Sequence, residues 1–375
     1  MIHGGDIYTS GLLEGRELID YSSNINPLGV PKSFIDNIDR AVNALTRYPD
    51  IQYRDVLKAL KEYTNCPREY FVLGNGAAEI IDLVISCHKS LLIVVPSFVE
   101  YEINAKKWNC SIEYSYLKEK INENVLLKQK YDELIFDYED ILNKLQKVEA
   151  LIIGNPNNPN GNIIDKDKFQ KILEYCESNG KVIIIDEAFI EFTGDTGHSF
   201  SEKAKTYKCL FIIRALTKFF AMPGIRFGYG ISSNFNLIKN IKEKQNPWNI
   251  NCFAEVAACC VLKDEEYIKK SKEWISGERP RFLESLKNIS FIEKVFLTYG
   301  NFVLCKLSGP ALENKMTSEE LYKLCLAQGF VIRKVDNFRG LDNQYIRLAI
   351  KDRNSNEKLL AEFENLRIKS ITEGN

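Results

Sequence analysis

Lys218 lies in a stretch whose residue types could bind a reactive, phosphorylated cofactor. The apolar run Cys209–Ile213 predicts a buried strand that ends shortly before this lysine. A lysine at the mouth of a buried strand loses solvation, which lowers its pKa and makes its amine a nucleophile able to form a Schiff base. Thr217 precedes it and Arg226 follows eight residues later. The threonine hydroxyl and the arginine guanidinium could both donate hydrogen bonds to a phosphate. Amine and phosphate site together predict pyridoxal 5'-phosphate (PLP) as cofactor.

A glycine-rich turn, Gly74-Asn-Gly76-Ala77, could bind the same phosphate. It follows the apolar run Phe71–Leu73 and precedes a helix-like pattern from Ala77 to Cys87. Backbone N–H groups at the start of a helix, together with the helix dipole, favour an anion. An ordinary tight turn is the alternative, because Glu79 stands where a dinucleotide-binding fingerprint has its third glycine.

Two further polar side chains lie at or near the ends of other apolar runs. Asp186 comes directly after Val182–Ile185, and a carboxylate at the end of a buried strand requires a partner. It could keep the pyridine nitrogen of PLP protonated, or it could be a structural ion-pair or capping residue. Asn158, within the turn-rich segment Asn155–Gly161, could donate to the phenolate oxygen of PLP or simply belong to a loop.

An aromatic residue and two arginines complete the set of candidates. Phe98 could lie flat against the cofactor ring, or it could belong to the core. Arg333 and Arg347 each lie in a strand-like run, where arginines are usually exposed or structurally paired. An arginine between Ile346 and Leu348 is nonetheless a candidate for bidentate binding of a substrate carboxylate.

Composition excludes several classes of partner. The 375 residues include 50 Lys and Arg and 51 Asp and Glu, so the net charge of −1 predicts neither nucleic-acid nor membrane binding. The three histidines lack metal-ligand spacing, which predicts no metal site. Ten scattered cysteines without a CxxC motif, and no secretory signal in residues 1–10, predict free thiols and a cytoplasmic location.

Short apolar runs alternate with helical patterns through the middle of the chain. This alternation predicts an α/β fold, with a mostly parallel sheet covered on both faces by helices. Polar residues follow the runs, at the edge where such sheets bind ligands. The runs are 71–73, 91–95, 150–153, 182–185 and 210–213.

The C-terminal third has a different pattern. Thr317-Ser-Glu-Glu320 is typical of a capping box, and Gly329 of a helix end. Strand-like runs 330–335 and 345–350 and a helix from about residue 356 follow, which predicts a smaller α+β domain. We therefore expect an N-terminal arm (1–40), a large PLP-binding domain (41–266) and a small C-terminal domain (267–375).

In this order, the motifs resemble those of fold-type I PLP enzymes of the class I/II aminotransferase family. The resemblance rests on Asn157-Asn-Pro159, Asp186-Glu-Ala188 and Thr217-Lys218 with Arg226. Within the family, the chain is similar nearly end to end to the threonine-phosphate decarboxylases of cobalamin synthesis. The segments that carry this similarity are His3–Gly5, Tyr21–Gly29, Arg47–Asp50, Leu216–Phe219, Pro223–Arg226, Pro247-Trp248, Gly340–Asp342 and Tyr345–Ala349. The histidinol-phosphate aminotransferases are next, but they are not similar at His3–Gly5.

The resemblance implies a role for each candidate. Lys218 would bind PLP covalently, Asp186 would pair with its pyridine nitrogen, and Asn158 would donate to its ring oxygen. Phe98 would stack on the ring. The phosphate would be held by Gly76, Ala77, Thr217 and Arg226, joined by Tyr48 of the partner subunit in a homodimer. Arg333 and Arg347 would bind the carboxylate and phosphate of a small phosphorylated amino acid, in an order left open, with His3 and Asn24 nearby.

Three departures from the aminotransferase pattern bear on the reaction. Phe189 replaces a tyrosine and Thr217 a serine, and both changes are similar to the decarboxylases; Asn160 replaces a threonine or serine. We therefore expect decarboxylation of L-threonine O-3-phosphate to aminopropanol phosphate. The alternative is an aminotransferase of the histidinol-phosphate type. A non-catalytic PLP-binding regulator is disfavoured, because such proteins carry a DNA-binding module and no basic helix-turn-helix pattern is visible.

Overall fold

The computed structural model describes residues 3–124, 129–308 and 316–372. Its strands are β1 (Ile19–Asp20), β2 (Phe71–Gly74), β3 (Ser90–Val95), β4 (Ser111–Tyr116), β5 (Lys118–Asn124), β6 (Gln129–Ile135), β7 (Ala150–Gly154), β8 (Val182–Asp186), β9 (Leu210–Ala215), β10 (Gly228–Ile231), β11 (Ile292–Val295), β12 (Phe302–Leu307), β13 (Phe330–Val331), β14 (Arg333–Lys334) and β15 (Tyr345–Ala349). The apolar runs identified in the sequence are therefore strands, as predicted.

The helices that alternate with these strands begin and end close to the predicted positions. Among the described helices, none is long and apolar enough to cross a membrane. They are α1 (Lys32–Ile35), α2 (Ile38–Ala44), α3 (Arg54–Thr64), α4 (Ala77–Ile85), α5 (Glu100–Lys107), α6 (Tyr138–Leu145), α7 (Lys166–Ser178), α8 (Phe235–Lys244), α9 (Cys252–Val261), α10 (Glu265–Lys287), α11 (Ser318–Ala327) and α12 (Arg353–Thr372).

Seven of the described strands form the central sheet, in the order β2-β10-β9-β8-β7-β3-β4. Adjacent strands run parallel except around β10, which is antiparallel to both β2 and β9. Every residue of β7, β8 and β9 is buried, because helices and loops cover both faces of the sheet. The predicted α/β fold with a mostly parallel sheet is confirmed.

The antiparallel strand β10 passes directly over the start of helix α4. Gly228, its first residue, lies opposite Gly74 on one side and Ala215 on the other. A Cβ atom at Gly228 would lie only 2.4 Å from the backbone nitrogen of Ala77. Glycine is required here because any side chain would push the strand away from the helix start.

Four of the described strands form the C-terminal sheet, in the antiparallel order β11-β12-β15-β14. Helix α11 begins at the predicted capping box, with both hydrogen bonds between Thr317 and Glu320 present. The single strand predicted over 330–335 is wrong: β13 pairs with β1, whereas β14 pairs with β15. The segment changes partner at the buried Ile332, so one apolar run serves two sheets.

Candidate active site

A cavity of about 260 Å³ lies where the carboxyl ends of the central strands meet the C-terminal sheet and the N-terminal residues. Most of the predicted site residues line it: His3, Asn24, Ala77, Phe98, Asn158, Asp186, Thr217, Lys218, Arg226, Arg333 and Arg347. Two predicted residues lie outside the lining. Gly76 packs against Arg226 from behind, and Tyr48 lies on the surface, stacked on Trp248 at 4.6 Å.

Lys218 lies in the bend that follows β9, three residues after the strand ends at Ala215. Burial lowers the pKa of its amine to about 8, and the positive charge of Arg347 adds to this effect. The backbone carbonyl of Lys218 accepts a hydrogen bond from the N–H of Asn26 at 3.1 Å, which anchors the bend. A large fraction of this amine is therefore neutral, and able to act as a nucleophile, near pH 8.

Asp186 ends β8 and places its carboxylate in the cavity. The Tyr101 hydroxyl donates to Oδ2 at 2.7 Å, and the N–H of Ala188 donates to Oδ1 at 3.0 Å. Burial raises the pKa of Asp186, while the hydrogen bond from Tyr101 opposes that rise. The neighbouring Glu187 forms an ion pair with Arg214 at 2.9 Å. Of the two adjacent acidic residues, Asp186 is the one that lines the cavity.

Tyr101 is a contact that the sequence analysis missed. It lies in the same short motif as Phe98, three residues further on, where the first turn of α5 brings the two rings together. Their ring centres are 5.8 Å apart and nearly perpendicular. The spacing was a usable signal, because residues three apart at a helix start lie on one face.

The predicted phosphate cradle is built from two loops in close contact. Gly76 has φ +81°, and a Cβ atom there would lie 2.4 Å from Nη2 of Arg226. Arg226 itself adopts the left-handed conformation, with φ 61°, and donates to the carbonyl of Pro223 at 3.1 Å. The start of α4 at Ala77, the Thr217 side chain and the Arg226 guanidinium therefore line one end of the cavity.

Arg347 connects three parts of the chain. Its Nη1 donates to Oδ1 of Asn158 at 2.5 Å, and its Nη2 donates to the carbonyl of Ser22 at 2.6 Å. The buried Nε has no hydrogen-bond partner among the described residues. Burial lowers the pKa of Arg347 to about 9, and the nearby charge of Arg333 contributes. Oδ1 of Asn158 accepts this hydrogen bond from Arg347. The NH₂ group of the same amide can therefore donate a hydrogen bond to a ligand.

Arg333 lies directly opposite Arg347 in the β14–β15 ladder. Its Nη2 donates to Oδ1 of Asn337 at 2.9 Å, and its guanidinium lies 5.5 Å from the centre of the Phe338 ring. Burial lowers the pKa of Arg333 as well. Two buried guanidinium groups side by side repel each other, so an anionic ligand between them is strongly favoured.

The N-terminal residues form one wall of the cavity. Nε2 of His3 lies 2.9 Å from Oε1 of Glu100, and the N–H of Gly5 donates to Oγ of Ser22 at 2.7 Å. A Cβ atom at Gly4 would lie 2.3 Å from the carbonyl oxygen of Ser22, so this close approach requires glycine. Ser22 and Ser23 line the cavity, although the sequence analysis named neither.

These residues fit PLP in four respects. The site offers a neutral amine at Lys218, a buried carboxylate at Asp186 and an aromatic wall at Phe98. It also has an anion cradle at the start of α4, closed by Arg226. Two buried atoms, Nε of Arg347 and Oδ1 of Asn24, have no hydrogen-bond partner among the described residues.

Three solved or curated proteins with high similarity carry two different names. A solved structure titled as the histidinol-phosphate aminotransferase from Clostridium acetobutylicum is 51% identical and has a TM-score of 0.87, covering 94% of this chain and 100% of that one. A protein of Caldanaerobacter subterraneus subsp. tengcongensis, provisionally named a threonine-phosphate decarboxylase, is 40% identical over 97% of this chain and 93% of its own length. The threonine-phosphate decarboxylase of Salmonella typhimurium is 31% identical over 97% and 96%.

The family of this chain is shown by a family model. The family model described as aminotransferase class I and II matches residues 16–363, which is most of the chain. A solved member of this fold is in complex with pyridoxal-5'-phosphate. The protein therefore belongs to the class I and II aminotransferases, a family of PLP-dependent enzymes.

Proposed function

We propose that this protein is a PLP-dependent decarboxylase that converts L-threonine O-3-phosphate into aminopropanol phosphate and carbon dioxide, as in cobalamin synthesis. One observation carries this choice: His3 and Gly4 line the cavity, and Gly4 lies against Ser22, whose carbonyl accepts a hydrogen bond from Arg347. The His3–Gly5 segment is the feature by which the sequence resembles the decarboxylases and differs from the histidinol-phosphate aminotransferases.

The charge of the cavity supports a phosphorylated amino acid as substrate. Arg226 serves the proposed cofactor phosphate, which leaves Arg333 and Arg347 for the anionic groups of the substrate. A carboxylate and a phosphate would pair with the two guanidinium groups and supply an acceptor for Nε of Arg347. The names of the similar proteins also support a phosphorylated substrate.

The chemistry depends on which substrate bond is oriented for cleavage. PLP supplies an electron sink for the pair of electrons left when a bond at the substrate α-carbon breaks. Arg333 and Arg347 would fix the carboxylate and phosphate, and so determine whether the bond to the carboxylate or the bond to hydrogen is aligned. When carbon dioxide leaves, the α-carbon takes up one proton, and Lys218, with its pKa near 8, would donate it.

Transamination of histidinol phosphate is the second candidate. It is favoured by the solved structure of that name, which is 51% identical to this chain. Both reactions use the same cofactor-binding residues, so the difference lies in the substrate side of the cavity. Phe189 also bears on the choice between the two reactions. The centre of its ring lies 6.0 Å from Nζ of Lys218, and it lacks the hydroxyl with which the tyrosine of many aminotransferases would donate to the cofactor's ring oxygen.

One assay separates the two reactions. The holoenzyme is incubated with L-threonine O-3-phosphate while carbon dioxide and aminopropanol phosphate are measured, and separately with histidinol phosphate plus 2-oxoglutarate while glutamate is measured. We expect carbon dioxide in the first and no glutamate in the second. Glutamate without carbon dioxide would reject the decarboxylase and favour the aminotransferase.

The proposed enzyme is a homodimer with shared active sites. Large apolar side chains are exposed along one stretch of sequence near the N-terminus, which is unusual for a surface that faces water alone. They are Leu28, Val30, Ile35, Ile38, Val42, Leu45, Tyr48 and Ile51. Tyr48 is 75% exposed, so its hydroxyl is available to bind the cofactor phosphate of a second subunit.

Mixing two inactive variants tests this arrangement. A hybrid dimer of Lys218→Ala and Tyr48→Ala chains would contain one site with both defects and one site with neither. We expect the mixture, after subunit exchange, to regain activity that neither parent has. An active monomer in analytical ultracentrifugation, or a mixture no more active than its parents, would contradict the shared site.

A further inference from the structure

The loop of residues 336–341 forms part of the substrate side of the cavity. Within it, Asn337 accepts a hydrogen bond from Arg333 at 2.9 Å. Phe338 lines the cavity and lies under the same guanidinium, 5.5 Å from it. The 336–341 loop therefore contacts the Arg333 guanidinium at two points.

Arg339 joins this loop to helix α5. Its Nε donates to Oε2 of Glu102 at 2.8 Å, and its Nη2 donates to Oε1 at 2.7 Å, which is the bidentate geometry of a strong ion pair. The guanidinium also lies 4.2 Å from the centre of the Tyr114 ring on β4. This contact, the Arg339–Glu102 pair, connects the substrate-side loop with the central sheet and its helix.

Helix α5 is also part of the cofactor side. Tyr101, next to Glu102, donates to Asp186, and Phe98 just before the helix lines the cavity. The Arg339–Glu102 pair therefore spans from the residues that hold Arg333 to the residues proposed to hold the cofactor ring. Glu102 is ionised over the working pH range, because the hydrogen bond from Arg339 lowers the pKa of its carboxyl to about 2.

The junction between α5 and the 336–341 loop combines a cavity with apolar packing. A second cavity of about 530 Å³ lies between α5 and the 336–341 loop, lined by Val99 and Ile103 on one side and by residues 336–341 on the other. Gly340, at φ +89°, lets the loop approach the ring of Tyr116, which a Cβ atom would meet at 3.4 Å. Phe338 and Leu341 of the loop pack in a small apolar cluster with Val99, and the Arg339–Glu102 pair adds a directional contact to this packing.

We propose that Arg339 is a positioning residue for the reaction: through the Arg339–Glu102 pair it holds the 336–341 loop, and thereby Arg333, in the orientation that binds the substrate anion. This role rests on the proposed function only for the identity of the substrate. The loop geometry itself is independent of it.

Kinetics of Arg339→Gln test the link to the site. We expect KM for L-threonine O-3-phosphate to rise about fivefold, the change that ~1 kcal/mol produces, with PLP affinity and melting temperature near those of the wild type. The double variant Glu102→Gln/Arg339→Gln should match the single one, because both remove the same pair. Lys106→Gln is the matched control, because Lys106 also binds Glu102, at 2.6 Å, but is not part of the contact with the loop. The KM of the Lys106→Gln variant should therefore equal that of the wild type.

Hydrogen–deuterium exchange tests the loop without any assumption about the reaction. The N–H groups of Phe338 and Leu341 donate within the loop region at 3.0 Å each, so their exchange reports its order. We expect faster exchange there in Arg339→Gln and no change in Lys106→Gln. Unchanged exchange in Arg339→Gln would refute the proposal even if the enzyme proved to be an aminotransferase. Faster exchange with an unchanged KM for whichever substrate is turned over would refute the link from the loop to Arg333.

Discussion

The two halves of the cavity are built in different ways. In the proposed cofactor half, Asp186 ends β8, Lys218 follows the neighbouring parallel strand β9, and the predicted phosphate cradle lies at the end of β2. In the proposed substrate half, Arg333 and Arg347 lie opposite each other in the C-terminal sheet, and His3 from the other end of the chain lines the same cavity. The first half inherits its geometry from one sheet, whereas the second depends on how distant parts of the chain pack together.

This difference indicates which part of the cavity selects the substrate bond that breaks. Enzymes that share a cofactor half can differ in the bond they break, because orientation of the substrate selects that bond. Arg347 contacts the other half directly, through Oδ1 of Asn158. If the two halves are independent, a substitution in one half should leave the function of the other intact.

Loss of Lys218 should have the largest effect. Lys218→Ala removes the amine proposed to bind PLP covalently and to move the proton, so turnover should fall by about 10⁴-fold. Mass spectrometry after borohydride reduction should find PLP on the wild-type chain and none on the variant. The nearby half-buried Lys351, which does not line the cavity, is the control, and Lys351→Ala should keep the attached cofactor. Full turnover by Lys218→Ala would dismiss the catalytic role.

Loss of the Asp186 charge should have the next largest effect. Asp186→Asn keeps the shape and can still contact Tyr101, but it cannot stabilise a protonated pyridine nitrogen. We expect kcat to fall on the order of 100-fold and PLP to bind more weakly, while KM for the substrate changes little. The absorbance spectrum of bound PLP should change as well. A variant with altered KM and normal kcat would show that Asp186 belongs to the substrate half instead.

Loss of Arg347 should act on the substrate half alone. Arg347→Ala removes a charged, partly unsatisfied donor, so KM should rise about 30-fold to 100-fold, which corresponds to ~2–3 kcal/mol. PLP affinity, measured by fluorescence titration of the apoenzyme, should stay close to the wild-type value. A large loss of PLP affinity would mean that the contact with Asn158 makes the two halves one unit.

The pH dependence of PLP binding should show the smallest effect. Burial lowers the pKa of Lys218 from 10.5 to about 8, and only the neutral amine is nucleophilic. The rate at which the apoenzyme captures PLP should therefore rise about tenfold per pH unit below pH 8 and level off above it. Stopped-flow absorbance measures this rate. A rate that still rises steeply at pH 10 would indicate a solvated lysine.

Much of the fold could be predicted from local patterns. Continuous apolar runs predicted five of the seven described strands of the central sheet, but not β4 or β10, because strands buried on both faces read as unbroken apolar runs. The capping box at Thr317 predicted the start of α11. Prediction was wrong where one run serves two partners: nothing in residues 330–335 shows that pairing switches at Ile332 from β1 to β15.

Prediction of the site followed the same division. Lys218, Asp186 and Arg226 could be selected because each follows a strand or turn with a local signature. Tyr101 and Ser22 were missed, since their contacts with Asp186 and Arg347 join residues 85 and 325 positions apart. The assigned roles of all these residues stay predictions until the variants are measured.

By itself, the sequence determined the chemistry that is available: an amine, a carboxylate and an anion cradle at the ends of apolar strands, which together predict PLP. Only the tertiary structure decided how the substrate side is assembled. It placed Arg333 opposite Arg347, brought His3 and Gly4 to the cavity wall, and joined the 336–341 loop to α5. Strand ends are set by local patterns, but contacts between distant segments depend on how the whole chain packs, and no local pattern records them.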